Sequence, residues 1–483
     1  MRFGKYGVNG GLPFVALVLL LLFLPPADLY GEEHPETFTI ALTGKYPPFS
    51  FYSPEGELVG FDVDVSRAVA RHLGKDLEIV TTEWDGILAG LLSRRYDAII
   101  GSMAITPERS EKVNFSIPYY ISGAQLFIHR ENTGEIETIR DLEQKRVGVV
   151  LGTTFEHYLN DNFPGIEVMT YKGEVDIYQD MLNRRLEGFV SDRLVGMYQI
   201  NQADMPFVPV GPLLYEERMG IPVKKDRPDL LTGINVALSK MQANGNFREL
   251  KEKWFEGKQE GRKVTAMSSP VIVRNLLRGF GMTLLIAACS LFLGFIIALP
   301  TGVVLNRSKG ILYTVLRGIV DFIRGTPVLI QLFFVYFSAP QIGIFLTPLQ
   351  SAIITLSINT ASYMSEVIRA GLMSVPRGQK LAGRALGLNV FQVFRLIVWP
   401  QAFRIAIPPL MNSAVALMKD TALVSMISVA EVIREAQSII SVTYDPMRYY
   451  FIVAVMFFIF TFPLMKLSGR LEQKIKSRGF KGA

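Results

Sequence analysis

The sequence has 483 residues, 49% of them hydrophobic, and 50 lysines and arginines against 44 acids give it a net charge of +6. This length accommodates two or three domains, and the single cysteine, Cys289, excludes an internal disulfide and a cysteine-based metal site. The four histidines (His34, His72, His129 and His157) lack ligand spacing, so no metal or other cofactor is expected. The positive excess is that of cytoplasmic loops between membrane spans, not of a nucleic-acid surface.

Residues 1–31 read as an export signal or a retained anchor. Arg2 and Lys5 precede an apolar run at 14–24, which Pro25, Pro26 and Ala27 end. Such a run is shorter than the roughly 20 residues of a full span. Either reading places the next segment outside the cytoplasm.

From 37 to 258 short β-rich runs (37–42, 77–81, 98–100, 146–150 and 188–190) alternate with helix-like segments, the pattern of parallel sheets covered on both faces. Val65, Ala68, Val69 and Leu73 recur at helical spacing. Two such units predict two lobes, one from about 37–125 with 218–258 and the other from about 126–217. Ligands bind beyond the carboxyl ends of strands in open α/β sheets, so a cleft between the lobes is the expected site.

Five motifs stand in order here: Tyr46-Pro47-Pro48-Phe49, Gly60-Phe61-Asp62-Val63-Asp64, Ile105-Thr106-Pro107-Glu108-Arg109, Phe115-Ser116-x-Pro118-Tyr119-Tyr120, and VGVVLGTT at 147–154. Together they closely resemble the polar amino-acid family of bacterial solute-binding proteins. The resemblance implies a two-lobed α/β periplasmic binding fold and an amino-acid ligand. It makes Arg109 the carboxylate-binding arginine, and a guanidinium fork suits that task. Thr154 is matched to a backbone N–H donor to the same carboxylate, Asp192 to the ammonium acceptor, and Tyr46 and Trp84 to an aromatic sandwich. Ser102 joins the ligand-binding set. Ala104 stands where many relatives have Ser or Thr, and Thr43 where binders of basic amino acids often have Asp. The side-chain positions Thr43, Ser102, Ala104 and Val150 are uncharged, which predicts a neutral, polar amino acid such as glutamine, unless Glu83, Asp85 or Glu156 reaches the cleft.

Residues 259–270 are a polar linker, and 271–483 carry the membrane segments. The uncharged run 281–305 makes one span, and Arg307 and Lys309 place the next loop in the cytoplasm. The uncharged run 325–365, turned near Pro340, Gly343 and Pro348, makes two more. A fourth opens at Ile405, a fifth covers 449–464, and the basic tail from Lys466 is cytoplasmic. Five spans agree in parity with a binding domain outside and a tail inside. Residues 419–448, where Lys419 and Asp420 interrupt an apolar run, read equally as a long span, a re-entrant stretch or a surface helix.

Between the third and fourth spans, 366–404 is basic and reads helix, glycine, helix, with Gly387 at the break and Asn389 placed to cap the second helix. Leu381-Ala382-Gly383, Gly387 and Ile397-Val398-Trp399-Pro400 match the spacing of the EAA loop of ABC importer permeases. The family's glutamate is Leu381 here and its leucine is Trp399. The resemblance makes Ala382, Gly383, Gly387, Ile397 and Pro400 part of a surface that docks a cytoplasmic ATPase. The sequence has no G-x-x-x-x-G-K-[ST], so ATP binding belongs to a separate ABC ATPase subunit. One five-span permease is half of what the family uses, which implies a homodimer. The expected protein is a multi-pass component of the bacterial cytoplasmic (inner) membrane, not an enzyme: a solute-binding domain fused to an all-α permease that imports an amino acid. The alternative is a ligand-gated ion channel built on the same binding fold. Such channels insert their spans between the lobe segments, whereas here all spans follow the binding domain.

Overall fold

The computed structural model describes residues 37–53, 55–256, 268–306, 310–342, 344 and 346–477. The export-signal segment, most of the linker, Gly343, the Arg307–Lys309 loop and the end of the basic tail lie outside the described residues.

Two sheets build the first half. A five-stranded sheet runs in the order Asp76–Thr81, Thr37–Leu42, Ala98–Ile99, Pro222–Lys224, Val113–Phe115. Its first two strands are parallel, in register from Thr37 opposite Asp76 to Leu42 opposite Thr81. A six-stranded sheet runs Glu167–Tyr171, Arg146–Val150, Gly188–Asp192, Tyr120–His129, Phe207–Gly220, Met103–Ala104. The chain passes between the sheets through short segments at 100–102, 116–119 and Ile221, so the two lobes share several crossings. Phe38, Ile40 and Leu42 lie in the core of one lobe, and Leu126, Val147 and Val149 in that of the other. The Phe61–Leu73 helix packs Val65 and Val69 onto the first core and ends at Gly74 in the left-handed conformation.

The second half is helical. Among the described residues, three helical stretches are long and apolar enough to cross a membrane: Ser269–Leu305, Val390–Ile427 and Pro446–Ile475. Ile311–Gly325 and Val328–Ser338, bent by 108°, make a fourth if the pair is one span. The break at Thr326 and Pro327 follows from proline, which lacks an N–H and disfavours helical backbone in the residue before it. Gln331 repairs it by donating to the carbonyl oxygens of Ile323 (2.7 Å) and Thr326 (3.1 Å), while its own oxygen accepts from Asn359 Nδ2 at 3.1 Å. The uncharged run 325–365 therefore contains the second limb of a broken helix, a turn and much of the Pro348–Ser374 helix. Residues 419–448 form the end of one helix, a 3-10 turn at Thr421–Ile427 and the Val432–Thr443 helix. Its 12 residues are too few to span a bilayer.

Ser269–Leu305 and Pro348–Ser374 approach closely because glycine faces backbone. A Cβ on Gly294 would stand 3.1 Å from the Ser357 carbonyl oxygen, and one on Gly302 would stand 2.8 Å from that of Ser365 and 2.9 Å from Ile368 Cβ. Small residues bring helices together in membranes, where the hydrophobic effect gives no drive between them. Gly302→Val should therefore force the pair apart and cost about 1–3 kcal/mol, read as a lower thermal midpoint of the detergent-purified chain. An unchanged midpoint would contradict the packing argument.

Candidate ligand cleft

Between the lobes lies a cavity of about 80 Å³. Strand ends and the turns after them supply its walls: Thr43, Lys45 and Tyr46 follow Thr37–Leu42, Ser102 follows Ala98–Ile99, and Thr153 and Thr154 follow Arg146–Val150. Tyr46, Trp84, Ser102, Arg109 and Thr154, all named from the sequence, line it together. Asp192 stands behind the lining, 1% exposed, capping its helix by accepting from the N–H groups of Leu194 (2.8 Å) and Val195 (3.3 Å).

Arg109 donates through Nη1 to the Ala104 carbonyl at 3.1 Å and through Nη2 to the Gly152 carbonyl at 3.3 Å. Trp84 Nε1 donates to the same Gly152 oxygen at 3.3 Å, and the guanidinium sits 5.7 Å from the Trp84 ring centroid. The fork is thus held in place by backbone acceptors and an aromatic face. Thr154 Oγ1 donates to Glu217, a buried acid on the cavity wall. Ser102 adopts φ of 53° and donates through Oγ to Asp62 at 2.9 Å, beside the Tyr119 hydroxyl, which reaches the other Asp62 oxygen at 2.8 Å.

Thr43, Ala104 and Val150 also line the cavity, but the wall is not uncharged: Lys45, Glu83, Lys172, Glu174 and Glu217 stand among them. Glu83 reaches the cleft, as the sequence reading allowed. Asp85 and Glu156 are not among the lining residues, and Glu156 instead accepts from the Gly152 N–H at 2.6 Å. Nothing in the sequence pattern marks Lys45, in the turn after a strand, Glu174, at the start of a helix, or Glu217, inside the Phe207–Gly220 strand, because periodicity does not report which element faces the cleft. Two ionic sets result, Arg109 with Glu217 and Lys45 with Glu83, the latter joined at 2.6 Å.

Electrostatics in the cleft are set by burial. Desolvation pushes Asp62 and Glu174 up to about 7, although hydrogen bonds from Tyr119 and Ser102, and from Ser191, pull the other way. It pushes Asp192 up to about 6. Burial also pushes Glu83 up, but Lys45 and Arg434 outweigh it and hold that carboxyl below its ordinary value. Lys45 is brought down to about 8 by desolvation, against the pull of Glu83.

The loop at 377–400 has its own geometry. The Arg377–Ala385 helix ends at Gly387, whose φ is 83°, and Asn389 and Gln392 cap the next helix reciprocally, each bond 2.9 Å. A Cβ on Gly383 would meet Ile397 Cδ1 at 2.5 Å, so the two short helices touch there. Ala382 and Pro400 are exposed, and Leu381, Leu386, Val390, Phe391 and Leu396 leave an apolar surface open beside them.

A two-lobed solute receptor followed by a membrane helix bundle is the class this arrangement defines. Residues 38–257 match the bacterial extracellular solute-binding proteins, family 3, and residues 290–477 match the binding-protein-dependent transport system inner membrane component. The chain is 38% identical over 219 residues to the L-cystine-binding protein TcyJ of Escherichia coli (strain K12), covering 45% of this chain and 82% of that protein. It is 37% identical over 198 residues to the L-cystine transport system permease protein TcyB of Bacillus subtilis (strain 168), covering 41% and 85%. It is 32% identical over 249 residues to the L-arginine-binding protein of Pseudomonas aeruginosa, covering 50% and 94%. The chain belongs to both families at once, a receptor and permease of an amino-acid uptake system on one polypeptide.

The raised acids give the cleft a pH signature. An unfolded carboxyl titrates near 4, whereas Asp62 and Glu174 titrate near 7 when folded. Between those values the folded chain holds protons that the unfolded chain has released, so stability is lost as pH rises through the window. The thermal midpoint of the receptor in the ligand-free chain should fall from pH 5 to pH 8, and Asp62→Asn should flatten part of the slope. A midpoint that climbs over this range would refute the assignment.

Proposed function

We propose that this chain captures an amino acid outside the cytoplasmic membrane and passes it through its own permease, driven by ATP hydrolysis on a separate ABC subunit, with two copies of the chain forming the pathway. The observation that carries this reading is a charged ligand cleft and a membrane bundle with an exposed apolar coupling loop on one chain. Arg109 holds the ligand carboxylate, with the N–H at Thr154 beside it. Asp192 supplies negative charge for the ammonium from just behind the cavity wall, and Tyr46 and Trp84 enclose the stem. No observation favours a channel, since the two lobes are complete before the first span begins.

The ligand is an amino acid with a second zwitterionic end, of the L-cystine kind. Lys45 and Glu83 form an ion pair on the cavity wall, separate from Arg109, and a second carboxylate and ammonium would complement such a pair. The relatives matched by the two halves, a binding protein and a permease, both carry L-cystine in their names, which supports the same choice. A glutamine-sized ligand would leave the Lys45–Glu83 pair unused.

Titration calorimetry on the full-length chain should show L-cystine binding at least tenfold tighter than L-glutamine or L-arginine. Equal or stronger L-glutamine binding would reject the second zwitterionic end. Arg109→Met should weaken binding by about 100-fold, the loss of roughly 3 kcal/mol expected when one partner of a buried charged pair is truncated.

Coupling is tested at Gly387. A valine there would be forced to positive φ, although no side chain stands within 4 Å of its Cβ. Gly387→Val should bind ligand normally yet lose ligand-stimulated ATP hydrolysis by the co-purified ATPase. Intact stimulation would remove the loop from the pathway.

A further inference from the structure

The Lys45–Glu83 pair is not held by the receptor alone. Glu83 Oε1 lies 2.6 Å from Lys45 Nζ and also 3.0 Å from Nη1 of Arg434, a residue of the permease half, 351 positions further along the chain. The Arg434 and Glu83 side chains are 5% and 9% exposed. Lys45 donates in turn to Gln437 Oε1 at 2.9 Å, one helical turn beyond Arg434. A single face of the Val432–Thr443 helix therefore meets both members of a pair that lines the ligand cavity.

The permease decides where that face stands. Glu431 caps the helix by accepting from the Arg434 N–H at 2.9 Å, and the Val432 N–H donates to Thr283 Oγ1 at 3.3 Å. A Cβ on Gly279 would lie 3.0 Å from Val432 Cα, so the helix is seated directly on Ser269–Leu305. Arg434 is thus a fixed cation of the permease that the receptor meets when it sits down on the membrane domain. Lys45 and Glu83 alone are neutral together and complement a zwitterion. With Arg434 the set is net positive, and one carboxylate oxygen already accepts from two cations. A ligand ammonium approaching Glu83 then meets repulsion where it had found a partner.

We propose that Arg434 is a release residue: in the seated receptor it occupies the Glu83 carboxylate that the ligand's second ammonium uses when the receptor is lifted away. The placement of that ammonium rests on the ligand proposed above. Linkage makes the effect reciprocal: whatever factor seating takes from ligand affinity, bound ligand takes from seating.

The test is L-cystine affinity of the full-length chain, together with ATP-driven uptake in vesicles reconstituted with the co-purified ATPase. Arg434→Gln should bind at least fivefold tighter than the unsubstituted chain and transport more slowly, while Arg434→Lys, which keeps the charge, should stay within twofold in both. In a Glu83→Gln background, Arg434→Gln should give no further tightening. Unchanged or weaker binding by Arg434→Gln overturns the proposal, as does equal tightening in the Glu83→Gln background. The ratio between chains is read again with L-arginine as probe. Failure of the unsubstituted chain to bind L-cystine refutes the ligand alone, and an unchanged ratio refutes Arg434 alone.

Discussion

A charged or polar group taken out of water must be met by another group, and the architecture of this chain follows from how that requirement is satisfied. Around the cleft, Asp62 is met by Ser102 and Tyr119, Glu174 by Ser191 at 2.6 Å, Asp192 by two backbone N–H groups, and Glu217 by Thr154. Asp192 caps its own helix, and the other bonds tie separate elements together, so the walls are positioned by their polar partners as much as by the apolar cores behind them. In the membrane half the same requirement falls on Gln331, which serves the carbonyls freed at a proline break, and on Glu366, which takes Arg317 and Arg369, each at 2.7 Å.

Much of this was legible in the residues because it is local. A glycine after a helix-forming run gives a left-handed turn, and Asn389 with Gln392 three residues later is a capping box wherever it occurs. The alternation of strand and helix predicts two lobes, and the resemblance to the binding family names Tyr46, Trp84, Ser102, Arg109 and Thr154, which the fold brings to one cavity although they span more than 100 positions. What escaped was the set of partners that only the fold can supply. Nothing in the neighbourhood of Lys45, Glu174 or Glu217 states that it faces the cavity. Arg434 lies in the stretch at 419–448 that composition left open between three topologies. Its placement depends on Gly279 and Thr283, which admit its helix to the surface of another. The break at Pro327 was similarly hidden, because an uncharged run has the same hydropathy whether it is straight or bent.

The two halves also differ in how they achieve tight packing. The receptor buries large aromatic and branched side chains against sheets, as with Phe127 stacked on Phe189 at 4.9 Å. The membrane half brings helices together at Gly294, Gly302 and Gly371, where backbone meets backbone. A bilayer offers apolar groups the same environment that a neighbouring helix does, so contact there depends on fit and not on escape from water.

The contact between Glu83 and Arg434 joins two parts of one covalent chain, and this changes the law that governs it. Two separate molecules meet as the product of their concentrations, so dilution parts them. Here the meeting is a first-order rearrangement, indifferent to how much protein the cell makes or how far a sample is diluted. Recognition can then rest on a few polar bonds without the large apolar interface that a freely diffusing partner requires. The same covalent link means that an altered acid on one side and an altered base on the other travel together from one generation to the next.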